Sequence, residues 1–308
     1  MRSAPNSQAA ATPQRARRSV DEALTLIEEQ GQEWTPPASR EGVRLVAPLR
    51  PGGSSNHSFL VGNGDDRLVL RLDGIDPTRN GIHREAEFRI QAAAATAGLA
   101  PRPRFCDAGK GILLVDYMAP DIEAGTTSAA DIADMLRAIH RLAIAAPRLY
   151  FAARAAHYHD LLWPVCDADS RHLLARLAGP LQHACRALDN DQHAAVVCHN
   201  DLTSANRLHH RGALYALDWE YAARGSRWFD LAVAAETAPA VDKVLTAYLQ
   251  REPTAQERAL MANAGDVAAY LDLLWRACNT GFAGRELQDA LHALNSRVSH
   301  RSMAERAS

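Results

Sequence analysis

The chain has 308 residues, of which 47% are hydrophobic and 23% charged, and its formal net charge is −2. That length is enough for two lobes around a sizeable core, and the composition is that of a globular protein rather than a fibrous or disordered one. A charge so near zero argues against a dominant nucleic-acid or membrane surface, and no apolar run approaches the length of a membrane span.

Residues 1 to 18 are rich in Ala, Ser, Gln, Pro and Arg and read as a disordered arm. Arg15, Arg17 and Arg18 have no apolar core after them, so a secretory signal is not supported. Without aromatic partners they read as a solvated tail. Val20, Leu24 and Ile27 have helical spacing, Asp21 and Glu22 suit a first turn, and Gly31 stops the helix. Pro36-Pro37 reads as a linker, so residues 1–38 form an arm and a short helix.

Val43 to Leu49 reads as a first strand. The turn Pro51-Gly52-Gly53-Ser54-Ser55-Asn56 follows, and His57 and Ser58 lead into a strand from Phe59 to Val61. Two glycines before small polar residues let backbone N–H groups approach phosphate closely, although alone such a turn is only a hairpin. Gly62 to Asp66 is a hairpin turn. Arg67 to Leu72 alternates, with Leu68, Leu70 and Leu72 on one face and Arg67, Val69 and Arg71 on the other. His83 to Ala97 is a helix by propensity. Arg104–Cys106 and Gly111–Met118 read as a strand pair, ending at Ala119-Pro120.

From Ser128 the character becomes helical. Ser128 caps a helix running to about Leu142, with Ile132, Met135, Leu136, Ile139 and Leu142 on its apolar face. His140 lies on or near that face and reads as a buried structural histidine. His157, His159 and Asp160 lack the i, i+4 histidine pair of helical zinc sites. Leu173 to Leu188 is another helix. The apolar run Ala194 to Cys198 then ends at His199-Asn200-Asp201, and Asn206 follows Asp201 with four residues between. A polar turn, His210-Arg211-Gly212, leads into a second run, Ala213 to Leu217, which ends on Asp218-Trp219-Glu220. Two strand-like segments on a short connection therefore carry oxygen ligands at their ends. Trp228-Phe229-Asp230 starts a further helix, and the tail from Pro253 is helical, with an apolar stretch from Val267 to Trp275.

Phosphoryl transfer explains such a grouping. It needs a carboxylate to orient the attacking hydroxyl and oxygen ligands for the metal that neutralises phosphate charge. The His-x-Asp-x-x-x-x-Asn spacing of His199, Asp201 and Asn206, followed by Asp218, is that of a kinase catalytic loop and its second metal ligand. HNDLTSAN and LDWEYA resemble the catalytic core of the choline kinase, thiamine kinase and aminoglycoside phosphotransferase superfamily. The Asp-Trp-Glu-Tyr version is more similar to the choline and thiamine kinase branches. The resemblance covers roughly Arg40 to Trp275. It implies an α+β, bilobal, protein-kinase-like fold, with a small β-rich N-lobe over residues 39–119 and a larger, mainly helical C-lobe over 120–308. ATP and Mg²⁺ are the implied cofactors. Asp201 is then the proton-accepting catalytic residue and His199 its support. Asn206 and Asp218 hold Mg²⁺, Glu220 adds a metal or substrate contact, and Asp230 braces the loop.

A kinase also needs a cation at the phosphates, paired with a helical glutamate. The only lysines are Lys110 and Lys243, neither in this part of the N-lobe, so Arg71 is the candidate. Its partner is Glu87 or Glu85. Glu87 is preferred because Arg-x-x-Glu ahead of Gly98-Leu99-Ala100-Pro101 resembles the bacterial branch. Gly53, Ser54 and Asn56 belong to the expected phosphate-covering loop, and Tyr117 and Met118 to the hinge that offers backbone hydrogen bonds to adenine.

The acceptor is expected to be a small-molecule alcohol, with a cationic hydroxyethyl compound such as choline or thiamine favoured. Aromatic faces and carboxylates hold such cations, and Trp219, Tyr221, Trp228, Tyr270 and Trp275 cluster in the C-terminal half with Glu220 and Asp272. Tyr270 and Trp275 are the first choices. The rivals are a sugar or aminoglycoside phosphotransferase and a nucleotide-binding module without turnover. Five cysteines, an odd number with no Cys-x-x-Cys, suggest a reducing cytoplasm, with neither a disulfide framework nor a zinc knuckle. No nucleic-acid or membrane partner is expected, and the chain is read as a monomer or homodimer.

Overall fold

The computed structural model describes residues 19–30, 43–49, 55–63, 66–122, 126–191, 195–236 and 238–307. The N-terminal arm, the Pro36-Pro37 linker, Gly53 and Ser54 lie outside them. Helix α1 (Val20–Gln30) follows the apolar spacing read from the sequence, and buries Ala23, Leu24 and Ile27 against a sheet.

That sheet has five antiparallel strands in the order β1-β2-β3-β5-β4. They are β1 (Arg44–Pro48), β2 (Asn56–Asn63), β3 (Asp66–Asp73), β4 (Pro103–Asp107) and β5 (Ile112–Asp116). The β3 alternation works as read: Leu68, Leu70 and Leu72 join Val61, Ile112 and Leu114 in a small core, while Arg71 takes the other face. β2 starts before Phe59 because Asn56, His57 and Ser58 pair with Asp73, Leu72 and Arg71. Helix α2 (Arg84–Thr96) lies between β3 and β4 in sequence and buries Ala86, Ile90 and Ala94 in the larger core.

The C-terminal part holds α3 (Ala129–His140), α4 (Phe151–Leu162), α5 (Ala168–Asn190), β6 (Ala195–Cys198), β7 (Arg207–His210), β8 (Ala213–Ala216), β9 (Ala223–Ser226), α6 (Arg227–Ala235), α7 (Ala238–Leu249), α8 (Ala255–Asn279) and α9 (Gly284–Ala307). Ser128 caps α3 in a reciprocal capping box with Asp131. The two apolar runs that flank the catalytic stretch are not partners. β6 pairs with β9 and β8 pairs with β7, in two separate antiparallel ribbons. Both unforeseen strands, RLHH and ARGS, are short and polar, so neither carries an apolar signature. Among the described residues no helix is long and apolar enough to cross a membrane.

The whole is an α+β, bilobal, protein-kinase-like fold, and among the contacts that tie its lobes two groups stand out. After β5, the Asp121 N–H donates to the His209 carbonyl at 2.9 Å, and its carboxylate accepts from the Arg211 and Gly212 amides. On the other side, Asn80 in the β3–α2 connection exchanges amide hydrogen bonds with Asn279 of α8, at 3.2 and 2.9 Å. Arg154 of α4 donates to the Asn80 and Gly81 carbonyls. Gly81 has φ +61°, and a Cβ there would overlap the Arg154 guanidinium, so a side chain at this position is strained and displaces that contact.

Candidate active site

His199, Asn200 and Asp201 follow β6 directly, and Asp230 of α6 fixes their backbone. The Asp230 carboxylate accepts from the His199 amide at 3.0 Å and the Asn200 amide at 2.7 Å, and His140 Nε2 lies 3.0 Å away. His140 is thus a buried structural group, with Nδ1 on the Tyr248 hydroxyl. Burial pushes Asp230 up, but the His140 and His199 side of the cage outweighs it and holds the carboxyl below its usual range. Asn200 has φ 64° and donates to the Tyr221 carbonyl, which binds the loop to the segment after Glu220.

Burial pushes the His199 imidazole below its ordinary value. The neutral ring donates from Nε2 to the Leu217 carbonyl at 2.9 Å and accepts the Asp201 amide at Nδ1. It packs on the buried Trp219. Asn206, at the end of a 3₁₀ turn (Ser204–Asn206), donates from Nδ2 to both the carbonyl and Oδ2 of Asp201, each at 2.8 Å. Its amide oxygen could serve as a metal ligand.

Asp218 follows β8 with φ 58°, a left-handed backbone that a non-glycine residue keeps only where its surroundings enforce it. One of its carboxylate oxygens takes Arg71 from β3, and Arg71 also pairs with Glu87 of α2. Glu87, not Glu85, is therefore the partner. Arg84 joins the same network and was not singled out from the sequence, although the Arg-x-x-Glu pattern contained it. It contacts Glu87, Glu220 and Asp73. The Asn56 side chain donates to Glu220 Oε2 at 2.8 Å and accepts from Arg84, so it faces this network.

Electrostatics separate the carboxylates. Burial, reinforced by Asp218 and Glu220, pushes Asp201 well above the usual carboxylate range. Burial and Glu220 raise Asp218 to about 6, against the pull of Arg71 and Arg84. Burial raises Glu220 as well, but Arg71, Arg84, Ser55 and Asn56 together hold it below its usual value. Such clusters, with one group poised to take a proton and another kept ionised, are typical of catalytic sites.

At the hinge, the Tyr117 amide donates to the Arg67 carbonyl at 3.0 Å. What remains there is the Tyr117 carbonyl and the Met118 amide, because β5 ends at Asp116 rather than at Met118.

A cleft of about 1020 Å³ opens beside Asp201, lined by Asn206, Asp218, Glu220, Tyr158, Tyr221, Asp272 and Trp275, among others. The Tyr221 hydroxyl and the Trp275 indole N–H are buried there against each other. Tyr270 is not in the cleft. It is 1% exposed in the helical core, about 140° around α8 from Trp275. Trp219 and Trp228 are core residues too, with their indole N–H groups on the Ala216 carbonyl and on Asp191. Sequence reading missed Tyr158, because its partners are remote in the chain. His157 and His159 do not form a metal cluster; they contact the Arg79 carbonyl and the Trp163 ring.

Residues 46–263 match the family model described as the phosphotransferase enzyme family. Among solved structures, choline kinase LicA from Streptococcus pneumoniae aligns with a TM-score of 0.70 at 18% identity, covering 91% of this chain and 99% of that one. A choline/ethanolamine kinase family protein from Mesorhizobium loti aligns at 0.64 and 21%, over 91% and 93%. An ADP-bound aminoglycoside phosphotransferase aligns at 0.60 and 12%, over 91% and 98%. No curated protein sequence matches the chain.

Proposed function

We propose that this chain, which belongs to the phosphotransferase enzyme family, transfers the γ-phosphoryl group of ATP to the hydroxyl of a cationic alcohol of the choline or thiamine kind. The observation that carries this reading is Asp201: a buried carboxylate with a raised affinity for protons, fixed by Asn206 at the head of an aromatic-lined cleft. Asp201 orients the acceptor hydroxyl and takes its proton as the oxygen attacks phosphorus.

The Asn206 amide oxygen and the Asp218 carboxylate are hard oxygen ligands that would fit Mg²⁺. Asp73, Glu87, Asp218 and Glu220 surround only two guanidiniums, Arg71 and Arg84, and a divalent cation balances that excess. When bound, the ion neutralises phosphate charge. Glu220 stands behind Asp218 as a further ionised carboxylate. Arg71, held by Glu87, reaches the phosphates; the segment Gly53, Ser54 and Asn56 covers them. The Tyr117 carbonyl and Met118 amide take the adenine edge, and His199 keeps the loop in shape.

For the acceptor, Tyr158, Tyr221 and Trp275 offer aromatic faces and Asp272 a carboxylate. Arg148, Arg154 and Arg276 line the same cleft, and Arg276 pairs with Asp272, so an acceptor with several positive charges is disfavoured more than one with a single charge.

The test is ADP release from Mg·ATP with choline, ethanolamine, thiamine, neutral and N-acetylated sugars and kanamycin. Turnover is expected on a cationic alcohol, and Asp201→Ala lowers it by about 10²–10⁴. Trp275→Ala raises the acceptor KM by about 5- to 30-fold and leaves the KM for ATP unchanged. Sugar turnover indifferent to Trp275→Ala replaces the acceptor class; ATP binding with silence across the panel favours a module without turnover.

A further inference from the structure

We propose that Arg84 is the positioning residue of the metal site, holding Glu87 and Glu220 so that the Asp218–Glu220 corner takes a divalent cation, an assignment that rests on the phosphotransferase reading above. The Arg84 side chain is 5% exposed and meets four acceptors. Nη1 lies 2.7 Å from Glu87 Oε2 and 3.1 Å from Glu220 Oε2; Nη2 lies 2.7 Å from Asp73 Oδ1 and 3.0 Å from Asn56 Oδ1.

Glu87 divides its two oxygens between two arginines, Oε1 to Arg71 and Oε2 to Arg84. Arg71 in turn holds Asp218. The contacts run Asp218, Arg71, Glu87, Arg84, Glu220, and return to a point two residues from their start. The two acidic side chains of the Asp-Trp-Glu segment are therefore spaced by a bracket built on β3 and α2. Asn56 Nδ2 closes on the same Glu220 oxygen, tying the first residues of β2 into it. A planar fork with several N–H groups is needed at Arg84, since one ammonium cannot reach acceptors on four sides.

A bracket and a bare charge predict opposite outcomes. Removing a positive charge beside a cation site strengthens cation binding through Coulomb's law. Removing a group that orients metal ligands weakens it, typically by 10–100-fold.

The test is calorimetric titration of ADP, with Mg²⁺ and with EDTA, into wild type, Arg84→Gln and Arg84→Lys, each first checked by thermal melting. Arg84→Gln is expected to weaken ADP binding about tenfold or more with Mg²⁺ and about twofold or less without it, and Arg84→Lys to recover part of the loss. Unchanged or tighter Mg²⁺-dependent binding in a folded variant overturns the assignment. So does an equal loss with and without metal, which marks a general collapse of the cleft. If Arg84→Gln does not fold, the same comparison is made on Arg84→Lys; failure of both to fold makes Arg84 a structural residue only and also overturns it. ADP binding that is indifferent to Mg²⁺ in wild type also overturns the assignment, whereas wild type that binds no ADP with or without Mg²⁺ sinks the phosphotransferase reading itself.

Discussion

At the scale of single residues, the proton affinities of Asp201 and Asp218 set the pH response. Both are raised, chiefly by burial, and Asp218 titrates at about 6. Asp218 is expected to be ionised in the working form, so its contribution to turnover falls as pH drops through about 6, and added Mg²⁺, competing with the proton at Asp218, moves that limb to lower pH. A pH–rate profile at two Mg²⁺ concentrations checks this. The same shift has a cost in stability. A carboxyl whose folded pKa exceeds its unfolded value stabilises the fold only while protonated, and that contribution is lost as pH rises through the folded value. Asp218→Asn is therefore expected to abolish turnover yet melt higher than wild type at pH 8, with the difference fading toward pH 5. The grouping of Asp201, Asn206 and Asp218 was legible because they sit at fixed spacings in one stretch. Arg84 was not, because its meaning lies in contacts with Asn56, Asp73 and Glu220, which no local spacing reveals. Tyr270 misled because composition says that an aromatic is present and not which side of α8 it occupies.

At the scale of elements, α2 and α6 do the positioning. Arg84 and Glu87 are one turn apart on α2, so a single helix delivers both halves of the bracket. Asp230 in the first turn of α6 receives two loop amides and His140. Asp230→Asn removes charge-assisted acceptors and is expected to cost about 2 kcal/mol in a urea melt, with kcat falling more than KM. The capping box of α3 is a check on sequence reading itself: Ser128→Ala is expected to lower stability by about 1 kcal/mol without touching turnover. Helices α1, α2 and α3 were legible from apolar period, propensity and caps. The pairing of β6 with β9 was not, since Ala223–Ser226 has neither alternation nor β-branched residues, and its partner is chosen by where α6 begins.

At the scale of the whole molecule, two lobes meet over a cleft, and the sequence announced that division through one catalytic stretch. It did not announce the ties. Asn80 and Asn279 are 199 residues apart, and an amide pair leaves no pattern along the chain. Asn80→Ala takes the donor from Asn279 Oδ1 and the acceptor from Tyr158; it is expected to cost about 1–3 kcal/mol and to speed hydrogen exchange across residues 76–84. Because Mg·ADP contacts both lobes in the proposed complex, ligand at 100 times its Kd is expected to add about 2.7 kcal/mol to global stability, read as a rise in melting temperature.

Helix α2 belongs to both lobes at once: it carries Arg84 and Glu87 to the acidic corner, yet it sinks Ala86, Ile90 and Ala94 into the larger core, and just beyond it the Leu99 carbonyl takes the Ala216 amide at 2.8 Å. The helix is therefore anchored to the C-terminal part independently of the five-stranded sheet, so any movement of the sheet is expected to change the Arg71–Asp218 and Asn56–Glu220 contacts before it changes the one between Arg84 and Glu220.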